Sequence, residues 1–344
     1  MIGLLSRRLL GAALTVVAVS FVAFVAFGLS LDPTNSMVMG DPTPHGAAAR
    51  MFVKQHYHLD DPILSQYVRW AGGVVRHGFG NTISTDVAAG VPFRLRTNGQ
   101  PIGPQLWHAA GITAAIVGAA LVLVVAGSAL VGTVSARRRP AGLSVSTRML
   151  AYLGAAVPVF LIGDLLRHAV TGQAHVTAAL GPQTGGGGWF LLGPPAGGPV
   201  GWVRHLALPV FVLALGLTGI YARYVRSSML VELDQPYVTV ARAKGLSERR
   251  VVVRHALRAG LAPFVALLSI EMGAVIGASI AVDGVFGSGG LATEFLSALG
   301  RADPYELTSI LVVSALIVCG FAFLGDWLVI RLDPRVAREP SARG

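Results

Sequence analysis

Apolar residues fall in long blocks along this chain, separated by shorter polar and basic stretches. Six blocks approach or exceed the length needed to cross a bilayer, about 20 residues. They are Leu9–Leu31, His108–Val134, Met149–Ala169, His205–Tyr221, Leu261–Asp283 and Ser309–Ile330. An open sheet cannot satisfy its backbone in lipid, so the pattern predicts transmembrane helices. The first block follows Arg7 and Arg8, as a signal peptide would. It is too long for a signal core and no A-x-A site closes it, so it reads as a retained anchor.

Composition supports this reading. Of 344 residues, 53% are hydrophobic and only 13% charged, against about 25% charged in soluble domains. Mean hydropathy is +0.64. A soluble globule is excluded, and disorder needs the opposite bias. The net charge of +10 would also suit a nucleic-acid binder. Here, however, the charges sit between apolar blocks, and aromatic residues are not interleaved with them, so nucleic acid is not an expected partner. With the N-terminus placed inside, 18 of the 27 Lys and Arg residues fall on cytoplasmic pieces. That bias predicts a multi-pass protein of the plasma membrane with both termini cytoplasmic.

The blocks divide the chain into 1–31 (N-terminal segment and first helix), 32–107 (an extracytoplasmic domain), 108–335 (a five-helix core) and 336–344 (a cytoplasmic tail). A polar cytoplasmic loop at 222–260 interrupts the core. An outer loop at 170–204 carries the glycine run Gly185–Gly188, which reads as flexible chain.

Common catalytic signatures are missing. Neither Lys54 nor Lys244 stands in a P-loop, and neither G-x-S-x-G nor H-E-x-x-H occurs. His45, His56 and His58 form the only histidine cluster, with no carboxylate at a ligand spacing; surface histidines are the simpler reading. The single cysteine, Cys319, lies in an apolar block, so neither an internal disulfide nor a cysteine-based metal site can be built. No catalytic residue, metal or cofactor is expected in this chain.

The loop from Tyr221 to Pro263 reads YARYVRSSMLVELDQPYVTVARAKGLSERRVVVRHALRAGLAP. Gly245 suits the residue just past a helix end, and Ser247 suits the cap of the next helix. The small residues Ala241, Ala243 and Gly245 suit close approach to a partner. A charged loop on lipid head groups is the plain alternative.

This run resembles the coupling loop of permease subunits of dipeptide and oligopeptide ABC importers. Gly245 takes the place of that loop's glycine, and His255 and Leu257 take its I-x-L positions. Its glutamate is missing, and Arg258 stands for its final proline. The resemblance extends over nearly the whole chain. Leu59-Asp60-Asp61-Pro62-Ile63 with Gln66, Tyr67 and Trp70 is similar to the family's outer segment, with His58 where glycine is usual. Pro158 and Phe160 match its S-x-P-x-F, with Ala156 for the serine. Leu332-Asp333-Pro334-Arg335 matches its closing L-D-P-R. Around the fifth block the sequence departs: Gly289 replaces a proline, Ala292 a glycine, and Glu271 a usual glutamine.

The resemblance implies an all-α permease with six transmembrane helices, the ABC importer type I fold, and an extracytoplasmic insertion after the first. It implies a second permease of similar fold, cytoplasmic ATPase subunits that use ATP and magnesium, and an extracytoplasmic solute-binding protein. The chain itself would be no enzyme. Ala241, Arg242, Ala243, Lys244, Gly245, Leu246, Ser247, Glu248 and Arg249 would couple to the ATPase. Peptide cargo is implied first; nickel, glutathione and haem are carried by relatives. An ion-coupled secondary transporter is the alternative class, and lacks a role for the loop.

In the fifth block Ser269, Gly273, Gly277 and Ala281 recur every four residues, a stripe that suits close helix packing. It serves equally for a helix of the same chain or of another subunit. Glu271 points about 200° away from Ser269, with Ala274 and Ala278. A charge near mid-membrane costs at least about 2.5 kcal/mol unless paired, protonated or hydrated. Glu271 therefore faces the cargo path, pairs with another subunit, or is protonated. On the first reading Glu271, Ala274, Ala278, Pro158 and Phe160 line the path. Asp164 is expected to pair with Arg167 one helical turn away, and Asp283 to be hydrated.

Overall fold

A computed structural model describes residues 2–31, 51, 54–55, 58–79, 102–136, 157–171, 192–195 and 197–332. Among them every multi-residue element is a helix, as the hydropathy pattern predicts. The long helices are α1 (Ile2–Ser30), α3 (Ile102–Ala136), α5 (Gly198–Leu233) and α11 (Pro304–Leu332). Shorter ones are α2 (Ile63–His77), α4 (Val159–Thr171), α6 (Pro236–Ala243), α7 (Glu248–Arg250), α8 (Leu257–Ile270), α9 (Met272–Phe286) and α10 (Leu291–Gly300). A π-helical stretch, Val251–Ala256, joins α7 to α8.

Among the described residues five helical runs are long and apolar enough to cross a membrane, or six if α9 and α10 form one broken span. The first, second and last blocks read from sequence coincide with α1, α3 and α11. The fourth grows into α5, which at 36 residues outruns the expected His205–Tyr221. The third is described only as the 13 residues of α4; its expected start at Met149 lies outside the described residues. The fifth, Leu261–Asp283, is not one helix. It is interrupted at Glu271, whose ψ of 10° ends α8. The hydrogen-bond ladder still passes through: the Glu271 amide bonds to Leu267 O at 3.0 Å, and the Val275 amide to Glu271 O at 3.1 Å.

The chain forms two compact units. The first comprises α1, α2, α10 and the parts of α3 and α11 up to Ile112 and Ile317. Its core is Ile102, Leu106, Leu291, Ala298, Leu307, Ile310 and Val313. Here the outer motif acquires a structural role. The Tyr67 hydroxyl lies 2.9 Å from Ser20 Oγ, and its ring meets Phe21 and Phe24 edge-on. Gln66 Nε2 donates to the carbonyls of Leu59 and Asp61, at 3.0 and 2.8 Å. Arg69 pairs with Asp61, and that hydrogen bond holds the Asp61 carboxyl below its ordinary pKa. Helix α2 is thereby fixed against α1. Helix α11 starts at Pro304, with Asp303 Oδ1 accepting the amides of Tyr305 and Glu306, both at 3.0 Å.

The second unit comprises the rest: α4 to α9 with the later parts of α3 and α11. Tyr221, Phe264, Phe286, Ile116, Leu213 and Met229 are among its largest buried side chains. Glycines set its close helix contacts. A Cβ on Gly132 of α3 would stand 2.7 Å from Val225 Cβ of α5, and one on Gly127 would stand 3.1 Å from Thr218. On α11, a Cβ at Gly325 would meet Ser269 Oγ of α8 at 2.0 Å. The seam read from sequence, Ser269 to Ala281, is different. Ser269 packs on Gly325, but Gly273 and Gly277 have nothing within 4 Å of an added Cβ, and the break at Glu271 divides the stripe. The overlooked signal is Ser128-x-x-x-Gly132-x-x-x-Ala136 on α3, all three buried.

Candidate functional site

The polar loop folds as a helical hairpin against α5. Helix α6 begins with Pro236 at its first position, where a missing amide costs nothing. Val238 and Ala241, three apart, face inward and are buried. After Ala243 the chain reverses. Gly245 has φ +74°; its amide bonds to Arg242 O at 2.9 Å, and the Leu246 amide to Ala241 O at 3.4 Å. These two bonds form a Schellman motif, which wants glycine at the left-handed position. The helix end read at Gly245 is therefore present.

Ser247 stands at the cap position of α7, but its hydroxyl makes no capping bond. Its carbonyl instead accepts the Arg250 amide at 2.8 Å. The π-helical turn then places Val251, Val252 and Ala256 inward, fully buried, with Val253, Arg254 and His255 outward. A π-turn widens the helix by one residue per ring and shifts the register of the helix after it. Below it, Gly260 lets α8 approach Met229 of α5, 3.1 Å from the sulfur to an added Cβ. The Arg258 guanidinium donates to Arg331 O at 3.3 Å.

The hairpin thus has two faces. Ala241 belongs to the inner one, where its small side chain lets α6 lie on its own chain. Val240, Arg242, Ala243, Lys244, Gly245, Ser247, Glu248, Arg249 and Arg250 are exposed, and Leu246 is half-buried. Across the glycine turn Arg242 and Glu248 form a bidentate pair, Nε to Oε2 at 3.1 Å and Nη2 to Oε1 at 2.9 Å. Sequence reading gave both to a partner; in the structure they clamp the turn. Being exposed, such a pair contributes at most about 1 kcal/mol. Arg242→Ala is therefore expected to leave the melting temperature of the purified protein nearly unchanged while lowering transport. A large drop in melting temperature would count against a clamp confined to the turn.

The second feature is Glu271. The buried Tyr221 hydroxyl of α5 donates to its Oε2 at 2.6 Å. Glu271 is half-exposed and stands at the middle of the run Leu257–Phe286. Gly273 and Ala274 beside it are exposed, and Ala278 and Ala281 are half-exposed. Tyr221 escaped sequence reading, since fifty residues separate the two. Pro158 and Phe160 sit at the start of α4, where Val159 between them packs on Gly216 of α5, five residues before Tyr221, and Gly163 packs on Phe286 at the end of α9.

Two further carboxylates are now placed. Asp164 lies 3.4 Å from both Arg167 and His168: the Arg167 pair was expected and His168 is added. Asp283, expected to be hydrated, is buried, 2% exposed; it lies in the α9 turn that Gly287 closes, with the Gly287 amide on its carbonyl at 2.7 Å.

Several long apolar helices joined by a basic loop that folds into an exposed hairpin define a multi-pass membrane protein. The chain belongs to the binding-protein-dependent transport system inner membrane component family, which it matches over residues 128–338. Residues 1–90 match the N-terminal region of such membrane components. It is a multi-pass membrane protein of the ABC importer type I permease fold. It is similar to the oligopeptide transport system permease protein OppB of Mycobacterium tuberculosis, 29% identical over 96% of this chain and 98% of that one. Oligopeptide permease AppB of Bacillus subtilis is 27% identical over the same shares. Dipeptide permease DppB of Bacillus subtilis is 29% identical over 84% of each chain.

Proposed function

We propose that this chain is one of two permease subunits of an ATP-driven, binding-protein-dependent importer of dipeptides or oligopeptides. The observation that carries the reading is the exposed hairpin from Val240 to Arg250. Its inner face packs on the chain's own π-helical stretch Val251–Ala256, while its outer face is small, basic and unoccupied by the described residues of this chain. Such a knob, clamped by Arg242 and Glu248 and turned by Gly245, suits the groove of an ATPase. That partner binds ATP and magnesium and supplies the hydrolysis; this chain catalyses nothing. Likeness over 96% of the chain to a relative named for oligopeptide transport supports peptide cargo over nickel, haem or glutathione.

In this reading both termini and the hairpin are cytoplasmic. A solute-binding protein delivers cargo on the opposite side, and a second permease completes the path. ATP drives the cycle only by binding one conformation better than the other. The exposed glycines Gly273 and Gly277 are then open to that second permease or to the path between the two.

Affinity purification of the tagged chain from mild detergent tests this. Recovery of a second permease and an ATPase in stoichiometric amounts is expected. A folded chain that runs alone and moves solute on an ion gradient would replace this reading with a secondary transporter.

A further inference from the structure

We propose that the Glu271 carboxylate is a station on the cargo path for a protonated amine, above all the amino terminus of a peptide. The inference rests on the importer reading and adds a recognition chemistry to it.

Charge is unbalanced at this position. Glu271 lies at the middle of the apolar run Leu257–Phe286, where an ionised group requires a partner, water or a proton. Among the described residues no Lys, Arg or His pairs with it. The Tyr221 hydroxyl donates to it, at 2.6 Å from Oε2. That phenol is 2% exposed and so cannot wander. It fixes one oxygen by a charge-assisted bond and leaves Oε1 without a hydrogen bond from the described residues. The carboxylate is therefore oriented and half satisfied.

Its surroundings suit a ligand that passes. The hydrogen-bond ladder continues through Glu271, so its own face of the helix carries Ala274, which is exposed, and Ala278, which is half-exposed; Gly273 and Gly277 lie about 200° and about 240° round the helix. A chain of atoms can slide past the two small side chains on that face.

The ligand chemistry is set by the donor set. One carboxylate oxygen is too poor a set for a divalent metal, which takes four or more ligands. An ammonium group needs only an acceptor for its proton and charge. A peptide amino terminus, with a pKa of about 8, carries that charge at neutral pH whatever the side chains. The station would thus serve peptides of any sequence.

The test uses the whole importer in liposomes, with its binding protein and ATP. Uptake of a dipeptide is compared with that of its N-acetylated form, in the wild type and in Glu271→Gln. Any preference of the binding protein is common to both and cancels. The preference for the free amine is expected to fall about tenfold in Glu271→Gln, the scale of one lost charge-assisted contact. Glu271→Asp keeps the charge and should keep most of the preference. An unchanged ratio in Glu271→Gln overturns the proposal. So does an Asp variant as indifferent as the Gln variant, which would mean shape rather than charge. Loss of the subunit complex in Glu271→Gln assigns the carboxylate to a subunit contact and overturns it as well. A wild-type complex that transports neither peptide removes the importer reading itself, a result distinct from peptide uptake with an unchanged ratio.

Discussion

Gly245→Trp is expected to stop transport while leaving the protein folded in the membrane. The structure separates the two effects of this change. The backbone at Gly245 has φ +74°, and a side chain in the left-handed region costs about 1–2 kcal/mol. No atom lies within 4 Å of a Cβ built there, so within this chain the indole meets open space. Gly245→Ala carries the same strain with little bulk. The Ala variant should fold and retain measurable uptake; the Trp variant should lose at least a further tenfold, about 1.4 kcal/mol of coupling. Immunoblots of membranes would confirm equal levels, and uptake with ATP hydrolysis in proteoliposomes would read coupling. Equal uptake by the two variants would show that nothing docks over the turn.

Gly132→Leu should act on the fold rather than on coupling. The new Cβ would stand 2.7 Å from both Val225 Cβ and Cγ1, and 3.0 Å from the Ala222 carbonyl oxygen. That oxygen belongs to the backbone of α5 and cannot swing aside, so α3 and α5 must separate. Overpacking of this kind costs about 1–3 kcal/mol, or more where backbone is in the way. Thermal unfolding in detergent is expected to shift down by several degrees, and less protein should reach the membrane. Val225→Ala should not rescue it, because alanine keeps the offending Cβ. A wild-type midpoint for Gly132→Leu would mean that the two helices are not in contact at this depth. Together the variants distinguish a glycine needed for its φ from one needed for its missing side chain.

Those glycines show where sequence reading succeeds and where it stops. The helix end at Gly245 was legible because a Schellman turn is a local device. It needs only a residue tolerant of positive φ after a helical run, and the chain supplies Gly245 with Ser247 soon after. The exposed surface around it was only partly legible. Small residues at 241, 243 and 245 look alike in sequence, yet Ala241 is buried under its own helix while Ala243 and Gly245 are outward. The four-residue spacing from Ser269 to Ala281 promised one packing seam, but spacing does not say that a helix is continuous. Ser269 finds a close helix, at Gly325, while Gly273 and Gly277 have nothing within 4 Å of an added Cβ. The comparable spacing Ser128, Gly132 and Ala136 does lie on a seam.

By itself the sequence determined that this is a polytopic helical membrane protein, which side its basic loop is expected to face, and where one helix of that loop must end. Lipid imposes the first through hydropathy, charge asymmetry guides the second, and backbone sterics impose the third; all three act within a short stretch of chain. The tertiary structure decided the partners: Tyr221 for Glu271, Glu248 for Arg242, Val225 for Gly132, Ser20 for Tyr67. Contacts between residues six to more than ninety positions apart depend on how the helices cross, and no local pattern encodes that geometry.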